Sequence, residues 1–299
     1  ILLEVVEVIW VTGDTHGAKN FGYIGVDGFI NRLNNAVFPE QKEMTKDDYI
    51  VICGDFGGVW NYTGETAEEK YNLDWLEERN FTTLFVPGNH ENYDRLLGLN
   101  DPGLIDTWLF KNLNTREKDK ILSGYPQKFW HGGLVREIRP SVLILERGYV
   151  FELDGCKCFA FGGANSHDIK DGILKAEEYA NWKAAKQDMK RWNTEGKWYR
   201  VNHMSWWEQE MPSQMEMERG WAMLEDEKYK VDFIFSHDCP ASDKTIILRD
   251  DCSDELNSYF EKIKQKVNYK KWFFGHYHKN MNIPGNEDIL LYDQIVRIA

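Results

Sequence analysis

The chain has 299 residues, of which 42% are hydrophobic and 14% aromatic. This composition predicts a compact fold with a substantial core and excludes a disordered polar chain. The 36 Lys and Arg residues against 49 Asp and Glu give a net charge of −13. Such an excess argues against a protein that coats nucleic acid or an anionic membrane surface.

The cysteines and the first residues bear on the compartment. Five cysteines, an odd number, argue against a disulfide framework and predict a cytoplasmic setting. Residues 1–10 carry two glutamates and are too short to span a bilayer. We therefore expect neither a signal peptide nor a membrane anchor there.

Short apolar runs rich in β-branched or aromatic residues predict six buried strands. In chain order they are 8–12, 49–53, 83–86, 159–161, 233–235 and 272–274. Three further strands with tight connections are expected at 134–138, 142–145 and 149–153. Helical patterns lie at 67–79, after His90, and at 176–191, 216–227 and 254–266. This order predicts a mixed α/β fold.

The chain shows no repeat and no Pro- or Ser-rich linker, so it does not divide readily into separate domains. We expect a single domain over residues 1–299. A long helical segment at about 164–230, called here the Trp-rich insertion, is predicted as an accessory part of that domain.

Polar residues typical of metal sites directly follow five of the six buried strands. The five motifs are Gly13-Asp14-Thr15-His16-Gly17, Gly54-Asp55, Gly88-Asn89-His90-Glu91, Ser236-His237-Asp238 and Gly275-His276-Tyr277-His278. Functional side chains collect at strand ends in open α/β folds. We therefore expect these motifs to converge on one site.

The ligand types in these motifs suit borderline or hard divalent ions, with Mn, Fe or Zn favoured and Mg as an alternative. Asp14 with His16, and His276 with His278, are spaced i, i+2, so each pair can direct two ligands the same way. The candidate ligands are Asp14, His16, Asp55, Asn89, His237, His276 and His278. Seven ligands are too many for one four-coordinate ion and suit two ions bridged by Asp55. Each motif alone is more often an ordinary turn, and the prediction depends on all five together.

The five motifs, taken in order, resemble the pattern of the calcineurin-like metallophosphoesterase superfamily, and the resemblance extends from Val8 to about His278. It implies a four-layer αββα sandwich in which helices flank two mixed sheets. One ion would be bound by Asp14, His16, Asp55 and His278, and the other by Asp55, Asn89, His237 and His276. His90 would be the catalytic histidine that does not bind a metal.

The activity implied is hydrolysis of a phosphomonoester or phosphodiester by a hydroxide that bridges the two ions. His90 would protonate the departing alkoxide or hydrogen-bond a phosphate oxygen. Glu91 or Asp94 could orient His90, although an exposed helix surface explains either acid equally well.

The residues after Asp55 bear on the substrate. Classical Ser/Thr protein phosphatases of the superfamily follow the second motif with Asp-Arg, which supplies an arginine to the phosphate, whereas in this chain Asp55 is followed by Phe56, Gly57, Gly58, Val59 and Trp60. We therefore expect a small or nucleotide-like phosphoester. The alternatives are a Ser/Thr-type protein phosphatase and a non-catalytic interaction scaffold that retains the fold.

The Trp-rich insertion holds half of the 12 tryptophans. They are Trp182, Trp192, Trp198, Trp206, Trp207 and Trp221. They form either an aromatic wall on which a nucleobase stacks or, as is commoner for aromatics in helices, the packing of accessory helices. Lys190, Arg191 and Arg200 are candidate phosphate contacts or ordinary surface cations. The loop 165–168 either lines the site or is an ordinary turn.

Overall fold

The computed structural model describes residues 8–18, 28–250 and 252–299. Most of segment 1–10, for which the sequence predicts neither a signal peptide nor a membrane anchor, therefore lies outside the described residues. Its strands form two large mixed sheets and one short pair. The strands are β1 (Ile9–Thr12), β2 (Tyr49–Cys53), β3 (Thr82–Val86), β4 (Gln127–Trp130), β5 (Gly133–Arg139), β6 (Val142–Leu145), β7 (Tyr149–Leu153), β8 (Cys156–Phe161), β9 (Ile173–Leu174), β10 (Arg200–Val201), β11 (Phe233–Ser236), β12 (Lys271–Phe274), β13 (Met281–Asn282), β14 (Asp288–Leu290) and β15 (Ile295–Arg297).

Several helices begin at residues that a sequence would mark as caps. The helices are α1 (Phe29–Arg32), α2 (Ala67–Glu77), α3 (Tyr93–Leu97), α4 (Thr115–Ser123), α5 (Trp182–Thr194), α6 (Gln214–Asp226), α7 (Ala241–Leu248) and α8 (Glu255–Lys266). Thr66 caps α2, and Ser213 caps α6, each in a reciprocal pair with the glutamate three residues later. These pairs satisfy backbone N–H groups that would otherwise lack a partner in the first turn.

Each large sheet has a parallel centre and antiparallel edges. The first has the order β15-β1-β2-β3-β6-β5-β4, with β1, β2, β3 and β6 parallel. The second has the order β13-β14-β12-β11-β8-β7, with β8, β11, β12 and β14 parallel. Because parallel strands end at the same edge of a sheet, the loops that follow β1, β2 and β3 are neighbours, as are those that follow β11 and β12.

Alternating side chains divide the core into layers. Val51 and Leu84 of the first sheet and Phe235 of the second belong to one buried cluster between the sheets. On the outer faces, Leu73 of α2 belongs to the cluster that covers the first sheet, and Phe260 of α8 to the one that covers the second. This order of helix, sheet, sheet and helix confirms the predicted four-layer αββα sandwich.

The predicted helix 176–191 is wrong as one continuous element. A single 3-10 turn at Ala176–Glu178 precedes α5, and Asn181 caps α5 by accepting a hydrogen bond from the Ala184 N–H. An asparagine gains more from capping an N-terminus than from a helix interior, so the chain breaks before Trp182. The division into one domain with a Trp-rich insertion stays a prediction.

In the described ranges, every helix is too short or too polar to cross a bilayer.

Candidate metal centre

The motif loops meet at one cavity of about 860 Å³. Six of the eight predicted site residues line it: His16, Asp55, Asn89, His90, His276 and His278. The other two, Asp14 and His237, are completely buried, and both approach Asp55. The fold therefore brings together every site residue that the motifs predicted.

Asp55 lies between two halves of this cluster. Its Oδ2 is 3.3 Å from His16 Nε2, and its Oδ1 is 3.2 Å from His237 Nε2. The Oδ1 atom also accepts the backbone N–H of His90 at 2.7 Å. The two oxygens of one carboxylate thus face two different imidazoles.

Asp14 joins the first motif to the last. Its Oδ2 is 3.2 Å from His278 Nε2, and its Oδ1 accepts the His276 backbone N–H at 2.9 Å. The His16 and His278 rings are 4.8 Å apart, which places them on one side of the cluster. The His276 ring lies on the other side, 5.0 Å from that of His237.

Two side-chain oxygens lie close to Nε2 of His237. The Nδ1 of His237 is 2.9 Å from the Cys53 carbonyl oxygen, to which it donates. That Nε2 lies 3.2 Å from both Asp55 Oδ1 and Asn89 Oδ1. Such a group of acceptors requires a proton or a metal cation among them.

The electrostatics also favour a cation at this position. Burial lowers the pKa of His237, but the carboxylates of Asp55 and Asp14 outweigh burial and raise it to about 10. Groups of ligand atoms that lie within 4.8 Å of one another are Asp14–His16–His278, His16–Asp55–His90 and Asp14–Asp55–His237. The donor set of imidazole, carboxylate and amide oxygen fits the divalent ions expected from the sequence.

Several cluster residues adopt left-handed backbone conformations. The φ angles are 47° for His16, 43° for Asp55, 71° for His276 and 49° for His278. Each costs about 1–3 kcal/mol for a residue other than glycine and persists only where the surroundings hold it. The Asp55 carbonyl, which accepts the His16 N–H at 2.8 Å, is one such restraint.

Two glycines in the motifs allow the carboxylates to approach the backbone closely. A Cβ on Gly88 would lie 2.2 Å from Asp55 Oδ1, and a Cβ on Gly275 would lie 2.0 Å from Asp14 Oδ1. Any side chain at either position would displace a carboxylate. Each glycine therefore makes room for an acid that comes from a different strand end.

His90 contacts groups that the sequence did not assign to it. Its Nε2 is 3.0 Å from Arg200 Nη2, and its ring stacks on Trp60 at 5.8 Å. Burial lowers the pKa of His90 to about 4, and the nearby Arg200 contributes in the same direction while Asp55 opposes it. The Arg200 guanidinium is therefore the donor and His90 Nε2 the acceptor of their hydrogen bond.

The two acids considered as partners of His90 have other roles. Glu91 is buried and accepts the Phe56 N–H at 2.7 Å. Asp94 Oδ2 lies 2.9 Å from His203 Nδ1 and accepts the Trp207 indole N–H at 2.8 Å. Each carboxylate thus anchors a neighbouring segment, and the explanation by an exposed helix surface is wrong, because both acids are buried.

A polar chain that the sequence did not reveal lies behind Asn89. Its Nδ2 donates to Ser166 Oγ at 3.4 Å, and the Ser166 hydroxyl donates to Glu210 Oε2 at 2.7 Å. The Trp206 indole N–H donates to the other oxygen of Glu210. Burial raises the pKa of Glu210 to about 7. Ser166 belongs to the predicted loop 165–168, whose four residues all line the cavity, whereas Glu210 is one of several acids in its segment.

The tryptophans of the insertion do not line the cavity; Trp60, which follows the second motif, does. Trp207 is 1% exposed and packs edge-on against Trp60 at 5.7 Å. Trp198, by contrast, is 60% exposed. The structure favours packing over a nucleobase-stacking wall for this group of side chains.

A sequence model of the family described as calcineurin-like phosphoesterase matches residues 8–280. The chain belongs to this family, as its motifs indicated, and is a metal-dependent hydrolase that acts on phosphoesters.

Two solved structures are similar to the chain. One is the phosphopantetheinyl hydrolase from Mycobacterium tuberculosis, with 16% identity and a TM-score of 0.32 over 96% of this chain and 90% of that chain. The other is a protein from Staphylococcus aureus assigned as a 5′-nucleotidase, in complex with α-ketoglutarate. It has 12% identity and a TM-score of 0.42 over 97% of this chain and 50% of that chain. No curated protein sequence gives a significant match.

Proposed function

We propose that the chain is a dinuclear metal-dependent phosphoesterase whose ions are held by the seven ligands predicted from the motifs. The observation that carries this proposal is the position of Asp55, whose Oδ2 and Oδ1 face His16 and His237 at 3.3 and 3.2 Å. A carboxylate with one oxygen toward each half of a ligand set has the arrangement expected of a bridging ligand. His16 and His278 would serve one ion, and Asn89, His237 and His276 the other.

Two divalent ions bound there would stabilise negative charge on the phosphoryl oxygens and supply a hydroxide nucleophile near neutral pH. The chain's own residues hold and orient the reacting groups. Asp55 fixes the two halves of the site relative to each other, and Asp14 fixes the last motif through the His276 N–H. His90, at the cavity wall, would hydrogen-bond a phosphate oxygen through its neutral ring or, when its ring is charged, protonate the departing alkoxide.

The size and walls of the cavity support a small substrate. Its volume of about 860 Å³ lies in the range of pockets that enclose small molecules. Trp60 and Tyr277 supply aromatic wall, which suits a nucleotide-like leaving group.

The residues after Asp55 argue against the protein-phosphatase alternative, because none of residues 56–60 is an arginine. Phe56 is completely buried and stacks on Phe85 with 4.3 Å between ring centroids, so its side chain belongs to the core and not to the cavity. All five cysteines are free in the structure, and the cytoplasmic setting stays a prediction.

The deciding experiment combines metal analysis with activity. The natively purified protein is analysed for Mn, Fe and Zn and assayed with p-nitrophenyl phosphate and bis(p-nitrophenyl) phosphate. We expect about two ions per chain and turnover of at least one ester. Asp55→Asn should lower the metal content of the protein and should also lower kcat. The loss of kcat should exceed the roughly 10- to 100-fold that is typical when a residue that only hydrogen-bonds a metal ligand is replaced.

Asp106→Asn is the matched control, because its side chain is 87% exposed and lies outside the cavity lining. It should leave metal content and kcat unchanged. A wild-type protein that binds no transition metal, or an Asp55→Asn variant with full activity, would contradict the proposal and support the scaffold alternative.

A further inference from the structure

Arg200 in β10 is an arginine that the fold buries at the cavity wall. Its side chain is 7% exposed, although a lone arginine is ordinarily left in water. Its Nε lies 2.6 Å from Asp168 Oδ1, its Nη1 donates to the Ser205 carbonyl at 3.2 Å, and its Nη2 contacts His90. The three nitrogens are therefore held by three separate segments.

These contacts leave donor capacity at the cavity. A guanidinium carries five N–H groups in a planar fork. Three are used, so each terminal nitrogen keeps one N–H with no partner among the described residues. Asp168 pairs with Nε on one edge of the guanidinium and offsets part of its charge, while the terminal N–H groups remain as donors.

Lys244 is the other Lys or Arg among the described residues that line the cavity. Its Nζ donates to Asn257 Oδ1 at 2.8 Å and lies 3.5 Å from Asp238 Oδ2, so the ammonium group is paired with neighbouring side chains of the protein. Arg200 instead contacts His90, whose ring centroid is 5.2 Å from that of His16. Of the two cations, Arg200 has the direct link to the Asp55 cluster.

We propose that Arg200 binds a non-bridging oxygen of a terminal phosphoryl group and makes the site selective for phosphomonoesters. A monoester phosphoryl has three non-bridging oxygens and a charge near −2, whereas a diester has two and a charge of −1. A fixed guanidinium therefore has both an additional oxygen and more charge to bind in the monoester. This inference rests on the proposed phosphoesterase function and names its substrate class.

The test compares Arg200→Ala and Arg200→Lys with the wild type in Mn²⁺-loaded protein. The dissociation constant for inorganic phosphate is measured by calorimetry, and kcat/KM is measured for p-nitrophenyl phosphate and bis(p-nitrophenyl) phosphate. For Arg200→Ala we expect roughly 10- to 100-fold weaker phosphate binding and a similar loss of kcat/KM for the monoester. The loss for the diester should be several-fold smaller, and Arg200→Lys should lie between wild type and alanine.

Arg191→Ala is the matched control, since Arg191 also lies in the insertion but is 58% exposed on α5 and away from the cavity. It should change neither quantity. Metal content and thermal unfolding are measured on every variant, and if Arg200→Ala does not fold, Arg200→Lys decides. Unchanged phosphate affinity, or equal losses for both esters, would overturn the role of Arg200. A wild type that hydrolyses neither ester would instead contradict the proposed function, while phosphate binding would still test Arg200.

Discussion

The strand-end loops and the Trp-rich insertion contribute to the same cavity in different ways. The loops after β1, β2, β3, β11 and β12 present the proposed ligands directly, and the sheets fix their relative positions. The insertion supplies Arg200, which contacts His90, and Ser166, which contacts Asn89. It also supplies Glu210, which accepts a hydrogen bond from Ser166. The first region thus assembles the proposed metal centre, and the second contacts its residues and adds an arginine.

This difference shows which residues of a site have their positions determined by the strand order of the sheets. A ligand at the end of a central parallel strand has its place determined by the sheet. A side chain in the insertion reaches the cavity only through its own hydrogen bonds, as Arg200 does through Asp168 and Ser205. Substitutions in the two regions should therefore have separable effects on chemistry, metal binding and stability.

If the strand-end loops carry the chemistry, His90→Ala should cause the largest loss. We expect kcat to fall roughly 10²- to 10⁴-fold with metal content unchanged, because general acid–base groups contribute about that much. Steady-state kinetics with metal analysis would check this. The control is His131→Ala, an exposed histidine outside the cavity. Loss of metal together with activity would show that His90 is a ligand, since it lies in the group His16–Asp55–His90.

If the insertion adjusts the metal centre, Glu210→Ala should weaken metal binding without removing a ligand. Glu210 accepts from the Ser166 hydroxyl, which in turn accepts from Asn89, and partners behind a ligand typically contribute 10- to 100-fold in affinity. Competition with a chelator would measure the loss. Glu208→Ala, an exposed acid in the same turn, should have no effect. Equal metal affinities in the two variants would separate the insertion from the metal centre.

The insertion should also contribute packing energy where it meets α3. Trp207→Phe removes the indole N–H that donates to Asp94 at 2.8 Å and should lower the free energy of unfolding by about 1–3 kcal/mol. Denaturant titration of metal-free protein would measure it. Trp198→Phe is the control because Trp198 is 60% exposed, and it should change stability by less than about 0.5 kcal/mol. A similar effect of both substitutions would argue against this contact as an anchor.

The last expected effect is a pH dependence of stability from Glu210. Burial raises its pKa from 4.5 to about 7, so between those values the folded state holds a proton that the unfolded state releases. Its contribution to stability is therefore full below about pH 4.5 and is lost as the pH rises through about 7. We expect the unfolding free energy of metal-free wild type, minus that of Glu210→Gln, to decline over this window. A difference that stays level or rises with pH would contradict this assignment.

The fold was largely predictable because its strands carry local signals. The predicted strand 49–53 coincides with β2, and the run 142–145 coincides with β6. The two-residue strands β9 and β10 are too short to leave a pattern, and the break before α5 depends on a cap at Asn181 that the helical composition obscured.

The candidate site was predictable to the extent that its residues follow strands. The eight motif residues converge because β1, β2, β3, β11 and β12 end at the cavity. Arg200 was one of three candidate cations, and no local feature distinguished it from the exposed Arg191. Glu210 and Trp60 acquire their roles from contacts distant in sequence, which the composition of a segment does not encode.

The hydrogen bond from the His276 N–H to Asp14 joins residues 262 positions apart. It has a consequence for the synthesis of the chain. Asp14 is translated first, and its partners His276 and His278 follow only after 262 or more further positions. We therefore expect a nascent chain to lack a complete set of the proposed metal ligands until β12 and the loop that follows it have been synthesised, so that catalysis begins only after that point.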